Sequence, residues 1–438
     1  MRRAYKWGLW IVLGPLVALL VVGLSWLAFN GPWADAPVRQ VPAELEPTAL
    51  TLAPQDNAFF DMQGLTAPAG ESANAWGQRA WRGDLPADAA ALALPEGPAW
   101  QCQPAREDCV ARWRAEAPAL TAQRAQAASF GERCQALAAR PHFEEDRPRL
   151  HAQGGTPLPL QVPPLAPFST CLKWLQMAAA LAPDLPQAQH AWAQADALLR
   201  LVASGARTLI SHNMTWALME RQQLLLAQWA ATQPSDALRD DWLAPLPASL
   251  LQPRRWMVAE AAFQRAVILD THRQMEAMEA GGQRWALTTF GVGWLPQATV
   301  QTADSEWLAD LAAFGDLQGA ALAQALAQAP RGDAPTEPFR WAQLKWRNSA
   351  GHILLDVARP MRARYAHRQA DVPLFQAALR AVRELNALPA GERAARWAAL
   401  VPDAGLRERM SLEGDALLVR PRAPQDGRDT LRFPLRPA

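Results

Sequence analysis

The residues best suited to chemistry in this chain fall into three short stretches. His142-Phe143-Glu144-Glu145-Asp146 gathers one histidine and three carboxylates, the donor types that hold a divalent ion or move a proton. A helix through it would put His142 and Glu145 or Asp146 on one face. Its position straight after Pro141 favours the plainer reading, a solvated acidic turn. Ser211-His212, with Glu220 and Arg221 two turns on, offers a hydroxyl beside an imidazole. Neighbours on a helix point about 100° apart, however, and cannot pair as nucleophile and base. Arg347-Asn348-Ser349-Ala350-Gly351 opens a helical pattern and could cradle an anion, although the same residues serve equally as an N-cap. Gly-x-Ser-x-Gly, His-Glu-x-x-His and the phosphate loop do not occur. The sequence therefore assigns no catalytic residue, no cofactor site and no metal site.

Four cysteines, Cys102, Cys109, Cys134 and Cys171, lie in the first half of the chain. No Cys-x-x-Cys spacing favours zinc. In an oxidising compartment an even number reads as two disulfides, with three connectivities open. The favoured one joins Cys102 to Cys109 across a tight loop through Pro104, and Cys134 to Cys171 across the flanks of a proline-rich stretch.

These groups must be positioned by the rest of the chain, and its most distinctive element is Trp7 to Phe29, 23 residues without a charge. A helix of that length covers the roughly 30 Å hydrocarbon core of a bilayer. Arg2, Arg3 and Lys6 crowd the N-terminal flank, and Trp7, Trp10, Trp26 and Trp33 fit the two aromatic belts. The expectation is a transmembrane helix with residues 1–6 cytoplasmic and everything beyond about residue 30 translocated. A cleaved signal is the competing reading, but Pro37 follows its nearest cleavage site, Ala34-Asp35-Ala36.

Beyond the anchor, 30–55 reads as a linker rich in proline and alanine. Residues 56–168 contain the cysteines and a proline-rich arm, Gly154 to Pro167. A short helix is expected to stop at Gly64, and a second short element to run from Ser72 to Arg82. Helical periodicity begins near 110 and dominates 169–400. It is clearest from Ser169 to Ala231, where three amphipathic helices are divided by Pro183 to Pro186 and by Gly205. A long helix from about Trp256 should end at Gly281-Gly282, with a buried loop or hairpin over 283–302. Asp304 or Ser305 should cap the next helix, and an alanine-rich one should run from Gly319 to Ala329. After a polar break at Pro330 to Pro338, Pro360 implies a bend, and Asp371 should cap a separate helix with Pro373 in its first turn. In the tail, 401–438, Ala416 to Val419 and Leu431 to Phe433 read as a small β-hairpin around Asp426-Gly427. The fold class is thus mainly all-α, an irregular helical-hairpin array behind a membrane anchor.

A formal net charge of +1 gives no footprint for nucleic acid. The 20 tryptophans are scattered from Trp7 to Trp397 and read as core and interface filler. Several stretches in order resemble a group of single-pass inner-membrane proteins of proteobacteria, of uncharacterised activity. They are the basic-flanked anchor, APQDNAFFDMQGLTAPAGES at 53–72, the Cys102 and Cys109 loop, TLISHNM at 208–214 and NSAGHILLDVARPMRARYAHRQAD at 348–371. Cys134 and Cys171 lie outside them. The resemblance implies a helical envelope protein and no mechanism. The expectation is a membrane-anchored periplasmic interaction or scaffold protein, in contact with the lipid bilayer and an envelope protein partner. The alternatives are an envelope hydrolase built from distant residues, with His142 and Glu145 foremost, and a binder of an apolar ligand between helices.

Overall fold

Short polar side chains open many of the helices in the computed structural model, which describes residues 13–25, 28, 35–85, 91–146, 164–278, 294–328, 348–423 and 429–437. In chain order the helices are α1 (13–25), α2 (Ala58–Gln63), α3 (Ala73–Arg82), α4 (Cys109–Ala115), α5 (Ala117–Gln126), α6 (Ala128–Ala138), α7 (Leu165–Ala180), α8 (Leu185–Gly205) and α9 (Leu209–Ala230). There follow α10 (Arg254–Met278), α11 (Pro296–Phe314), α12 (Gly319–Gln328), α13 (Ser349–Asn386) and α14 (Ala390–Leu400), with isolated single turns between. Asn57, Ser72, Asp108, Asp184 and Thr208 each accept an N–H of the first turn that follows, a contact worth about 1 kcal/mol apiece. The expected stop at Gly64 and the three helices between 169 and 231 are present as α2, α7, α8 and α9.

The chain divides into two units, each discontinuous in sequence. The larger comprises Thr48–Glu260, Ala313–Ala329 and Ala363–Ala438. Within it α7 packs on α6 and α8, α8 on α9, and α4 on α7 and α9. Indoles fill the interior: Trp81, Trp113, Trp192, Trp216, Trp229, Trp242 and Trp256 are wholly buried, as filler should be. The backbones of α2 and α3 touch, because a Cβ on Gly77 would stand 1.8 Å from the Phe60 carbonyl oxygen. Only glycine permits that approach.

The tail forms a three-stranded antiparallel sheet, β1 (Met410–Glu413), β2 (Ala416–Val419) and β3 (Leu431–Pro434), in that order. The expected pairing of β2 with β3 is there, aligning Leu417 with Phe433, while Asp426-Gly427 lie outside the described residues. The strand that the sequence reading lacked, β1, joins β2 through Gly414-Asp415, with Gly414 at φ 58°. A glycine with positive φ in a two-residue loop matches the twist of a hairpin.

The smaller unit comprises Met1–Pro47, Ala261–Ala312 and Pro330–Arg362. Its apolar centre is Ile268, Val300, Ala303 and Leu355. Arg362 lies over the Trp307 ring at 3.8 Å and donates to Gln264 at 2.9 Å. The helix α11 begins at Pro296, earlier than Asp304, because its caps come from elsewhere in the chain. The Asp35 carboxylate accepts the N–H of both Gln297 and Ala298 at 2.9 Å. Asn348 accepts the Leu295 N–H and donates to the Thr299 hydroxyl. Residues 35–37 of the expected linker are therefore docked on the unit and do not hang free.

Of the expected span Trp7 to Phe29, residues 13–25 form α1, with 28 also helical, and the remainder lies outside the described residues. Every residue from Pro15 to Ser25 is exposed. Among the described residues, no helix is long and apolar enough to cross a membrane. Most of the proline-rich arm, the 283–293 part of the loop expected over 283–302 and the break at Pro330 to Pro338 also lie outside the described residues, while 296–302 of that loop are helical in α11.

One expected boundary is absent. The helix α13 runs unbroken through Pro360 and Pro373, so Asp371 caps nothing. A proline inside a helix costs about 3 kcal/mol. Ala370, Val372, Leu374, Phe375, Ala378 and Leu379 offset it by burying their side chains around that point.

Candidate functional site

The loop after Pro141 and the start of α9 bring two of the chemical stretches together. Glu145 is 1% exposed, and its backbone N–H donates to the Gly205 carbonyl. Its carboxylate accepts the N–H of Arg207 at 2.5 Å and of Thr208 at 2.8 Å. The hydroxyls of Thr208, at 2.8 Å, and Ser211, at 2.5 Å, complete the set. The two N–H donors flank the entry to α9, where the helix dipole also favours a negative charge. Burial pushes the Glu145 carboxyl up, against the hydrogen bonds from Ser211, Arg207 and Thr208, which hold it down.

The neighbouring acids diverge from it. Glu144 accepts the backbone N–H and hydroxyl of Thr51, both at 2.8 Å, and the Leu52 N–H at 3.0 Å. Although burial alone would raise its pKa, those bonds and Arg207 bring it below the usual carboxylate value. Asp146 accepts the Trp81 indole N–H at 2.9 Å. His142 is exposed and contributes its backbone carbonyl, which accepts the Ala58 N–H. No helix carries these residues, and the three carboxylates fasten three different segments. Neither the metal or acid–base centre nor the solvated turn describes them: the stretch is a set of internal clasps.

Ser211 and His212 do not act on one another either. The serine hydroxyl faces Glu145, and the imidazole, 3% exposed, lies against Trp216 with ring centroids 6.1 Å apart. No side chain hydrogen-bonds to either imidazole nitrogen. Burial and the Arg255 guanidinium lower its pKa to about 3, against a smaller upward pull from the Ala206 backbone. A neutral, enclosed imidazole of this kind cannot receive a proton from a dissolved substrate. Glu220 and Arg221 point elsewhere. Arg221 donates to the Cys102 carbonyl. Glu220 lines a small pocket with Asp196, Arg200, Gln223, Gln376 and apolar side chains such as Met219 and Phe375, whose cavity of about 10 Å³ has room for one water molecule. Burial raises the Asp196 pKa despite Arg200 at 2.5 Å.

The cysteine sulfurs stand at bonding distance in the favoured pairs, with Cα separations of 5.8 Å for Cys102–Cys109 and 5.3 Å for Cys134–Cys171. Cys102, Glu107 and Cys109 also place one donor atom each within 4.8 Å of one another, the geometry of a partial metal set. With the sulfurs joined, no thiolate is available to a metal. The loop between them is clamped onto α9: Gln228 accepts the Cys109 N–H and donates to the carbonyls of Pro104 and Glu107. Lys173 of α7 donates to the Trp100 carbonyl at 2.6 Å, and burial with Arg221 nearby lowers its pKa to about 8. Sequence reading missed both Lys173 and Gln228, since the carbonyls they bind carry no side-chain signal.

In the third stretch Arg347 lies outside the described residues, and Asn348 is engaged with Leu295 and Thr299. A Cβ on Gly351 would meet the Thr299 hydroxyl at 2.2 Å, so that position is held by close packing. Glu144, Glu145, Asp146, Ser211 and Asn348 are thus occupied in holding the fold. No family model, curated protein or solved structure matches this chain.

Proposed function

We propose that the chain is a single-pass inner-membrane protein, N-terminus inside, whose translocated, periplasmic portion serves as a helical interaction or scaffold component of the cell envelope. The observation that carries this reading is α1. From Pro15 to Ser25 it presents leucine and valine on every face with no protein packed against them. In water each such side chain leaves on the order of 1.5–3 kcal/mol unrealised, whereas hydrocarbon accommodates the helix all round. Arg2, Arg3 and Lys6 on its flank favour retention on the cytoplasmic side. Paired cysteines fit an oxidising compartment, and the resemblance to proteobacterial inner-membrane proteins points to the same place. A scaffold role is favoured over hydrolysis because Glu145, Ser211 and His212 are each no more than 3% exposed.

Two measurements test it. A C-terminal alkaline phosphatase fusion is expected to be active and a fluorescent protein fusion dark, with the protein retained in membranes after alkaline carbonate extraction. Activity of the reporter only in the cytosol, or release by carbonate, overturns the placement. For the scaffold role, crosslinking in intact cells is expected to return the same envelope protein repeatedly, and failure to do so counts against it.

A further inference from the structure

The smaller unit is fastened at the very point where the chain would leave the bilayer, and this extends the anchoring reading on which it rests. Five residues separate Phe29, the end of the apolar run, from Asp35. Six steps of extended chain reach at most about 20 Å, so Asp35 stays within that distance of the membrane interface. Asp35 is bound where it stands. Its carboxylate accepts the N–H of Gln297 and Ala298, and the Gln301 side chain donates to the Pro37 carbonyl at 2.6 Å. The next two residues face outward: Val38 is 80% exposed and Arg39 is exposed beside it. An apolar side chain and a cation side by side match a headgroup layer, where one inserts and the other meets phosphate.

We infer that the N-terminal end of α11 is held on the phospholipid headgroup layer by the Asp35 cap, with Val38 and Arg39 as its contact with lipid. The cap converts a flexible exit from the membrane into a fixed mount for the smaller unit. Anything that recognises this end of α11 must do so at the membrane surface.

All four cysteines are paired, so an introduced thiol is the one reactive site for a fluorescent label. Leu19→Cys, Val38→Cys and Gln297→Cys proteins are labelled with an environment-sensitive dye and reconstituted into phosphatidylglycerol–phosphatidylethanolamine vesicles. Quenching is read with nitroxides on the acyl chain or on the headgroup. The expected result is acyl-chain quenching at 19 and headgroup quenching at both 38 and 297. Asp35→Ala should lower the quenching at 297 at least twofold and leave 19 and 38 unchanged. Asp35→Ser, which restores a capping oxygen, should recover it, which separates loss of the cap from loss of the fold. Quenching at 19 without quenching at 297 overturns the mount and leaves the anchor standing. So does quenching at 297 that is indifferent to Asp35. Absence of quenching at 19 removes the anchor itself, and this inference with it.

Discussion

The Glu145 carboxylate accepts the Ser211 hydroxyl at 2.5 Å, joining residues 66 positions apart at the foot of α9. Each belongs to a stretch that reads as reactive by composition. Together they satisfy one another out of reach of solvent, and the consequence is mechanical: the loop after Pro141 is locked to the start of the central helix.

Replacing Glu145 by alanine leaves the Arg207 and Thr208 N–H groups and the Ser211 hydroxyl without their acceptor in a buried place, while the Thr208 hydroxyl can still donate to Ser211. The expected loss is about 3 kcal/mol of stability. Glu144→Ala, whose partners Thr51 and Leu52 lie nearer water, should cost under about 1 kcal/mol. Urea unfolding followed by circular dichroism compares the two. Equal losses would contradict the ranking by burial.

His212 supplies a pH dependence of known sign. Its pKa in the fold, about 3, lies below the ordinary 6.5 of the unfolded chain. Above pH 6.5 both states are neutral and the group contributes nothing. As pH falls through 6.5 the unfolded chain takes up a proton that the fold refuses, so stability declines down to about pH 3. By pH 4 the loss is on the order of 3 kcal/mol. His212→Leu should flatten the stability profile between pH 6.5 and 4 by about one proton. An unchanged slope would mean that the imidazole charges inside the fold.

Two glycines in helices should respond in opposite directions. Gly77 has the Phe60 carbonyl oxygen 1.8 Å from where a Cβ would stand, while Gly391 in α14 has nothing within 4 Å. Gly77→Ala must push α2 from α3 and is expected to cost more than about 2 kcal/mol. Gly391→Ala should add about 0.5–1 kcal/mol through helix propensity. Thermal melts of the two variants provide the comparison.

Asp371 and Arg422 form an enclosed ion pair at 2.9 Å, with side chains 1% and 9% exposed. The same carboxylate also accepts the backbone N–H of Arg422 and Ala423, tying the chain after β2 to α13. Asp371→Ala strands the guanidinium and should cost about 3–5 kcal/mol. Adding Arg422→Met should recover part of that, since it removes the stranded charge. Hydrogen exchange at β2 and β3 would report the same order, fastest in the single variant.

Local signals were legible wherever the partner lay nearby in sequence. Gly64 stops α2 as read, a short element does run from Ser72 to Arg82, and the proline and glycine breaks divide α7, α8 and α9. Signals from afar were not. The capping groups of α11 come from Asp35, some 260 residues upstream, so the one local signal of its start is Pro296 at the first helical position. Asp371 followed by Pro373 imitates a helix start, but packing of α13 decides against it and the carboxylate serves Arg422 instead. The two-residue Gly414-Asp415 loop was a readable hairpin signal in a strand pair otherwise too short to stand out. For the chemical stretches, composition identified the right residues and not their role. Whether an acid faces water or four donors is settled by tertiary contacts alone.

The Cys134–Cys171 bond has a topological consequence. It closes the chain between these residues into a covalent ring that includes 147–163. A single peptide cleavage inside the ring would leave the polypeptide migrating as one piece until a reductant is added, when it would part into two fragments. A tag or foreign domain spliced into that interval would likewise remain looped between α6 and α7, its two ends tied by sulfur.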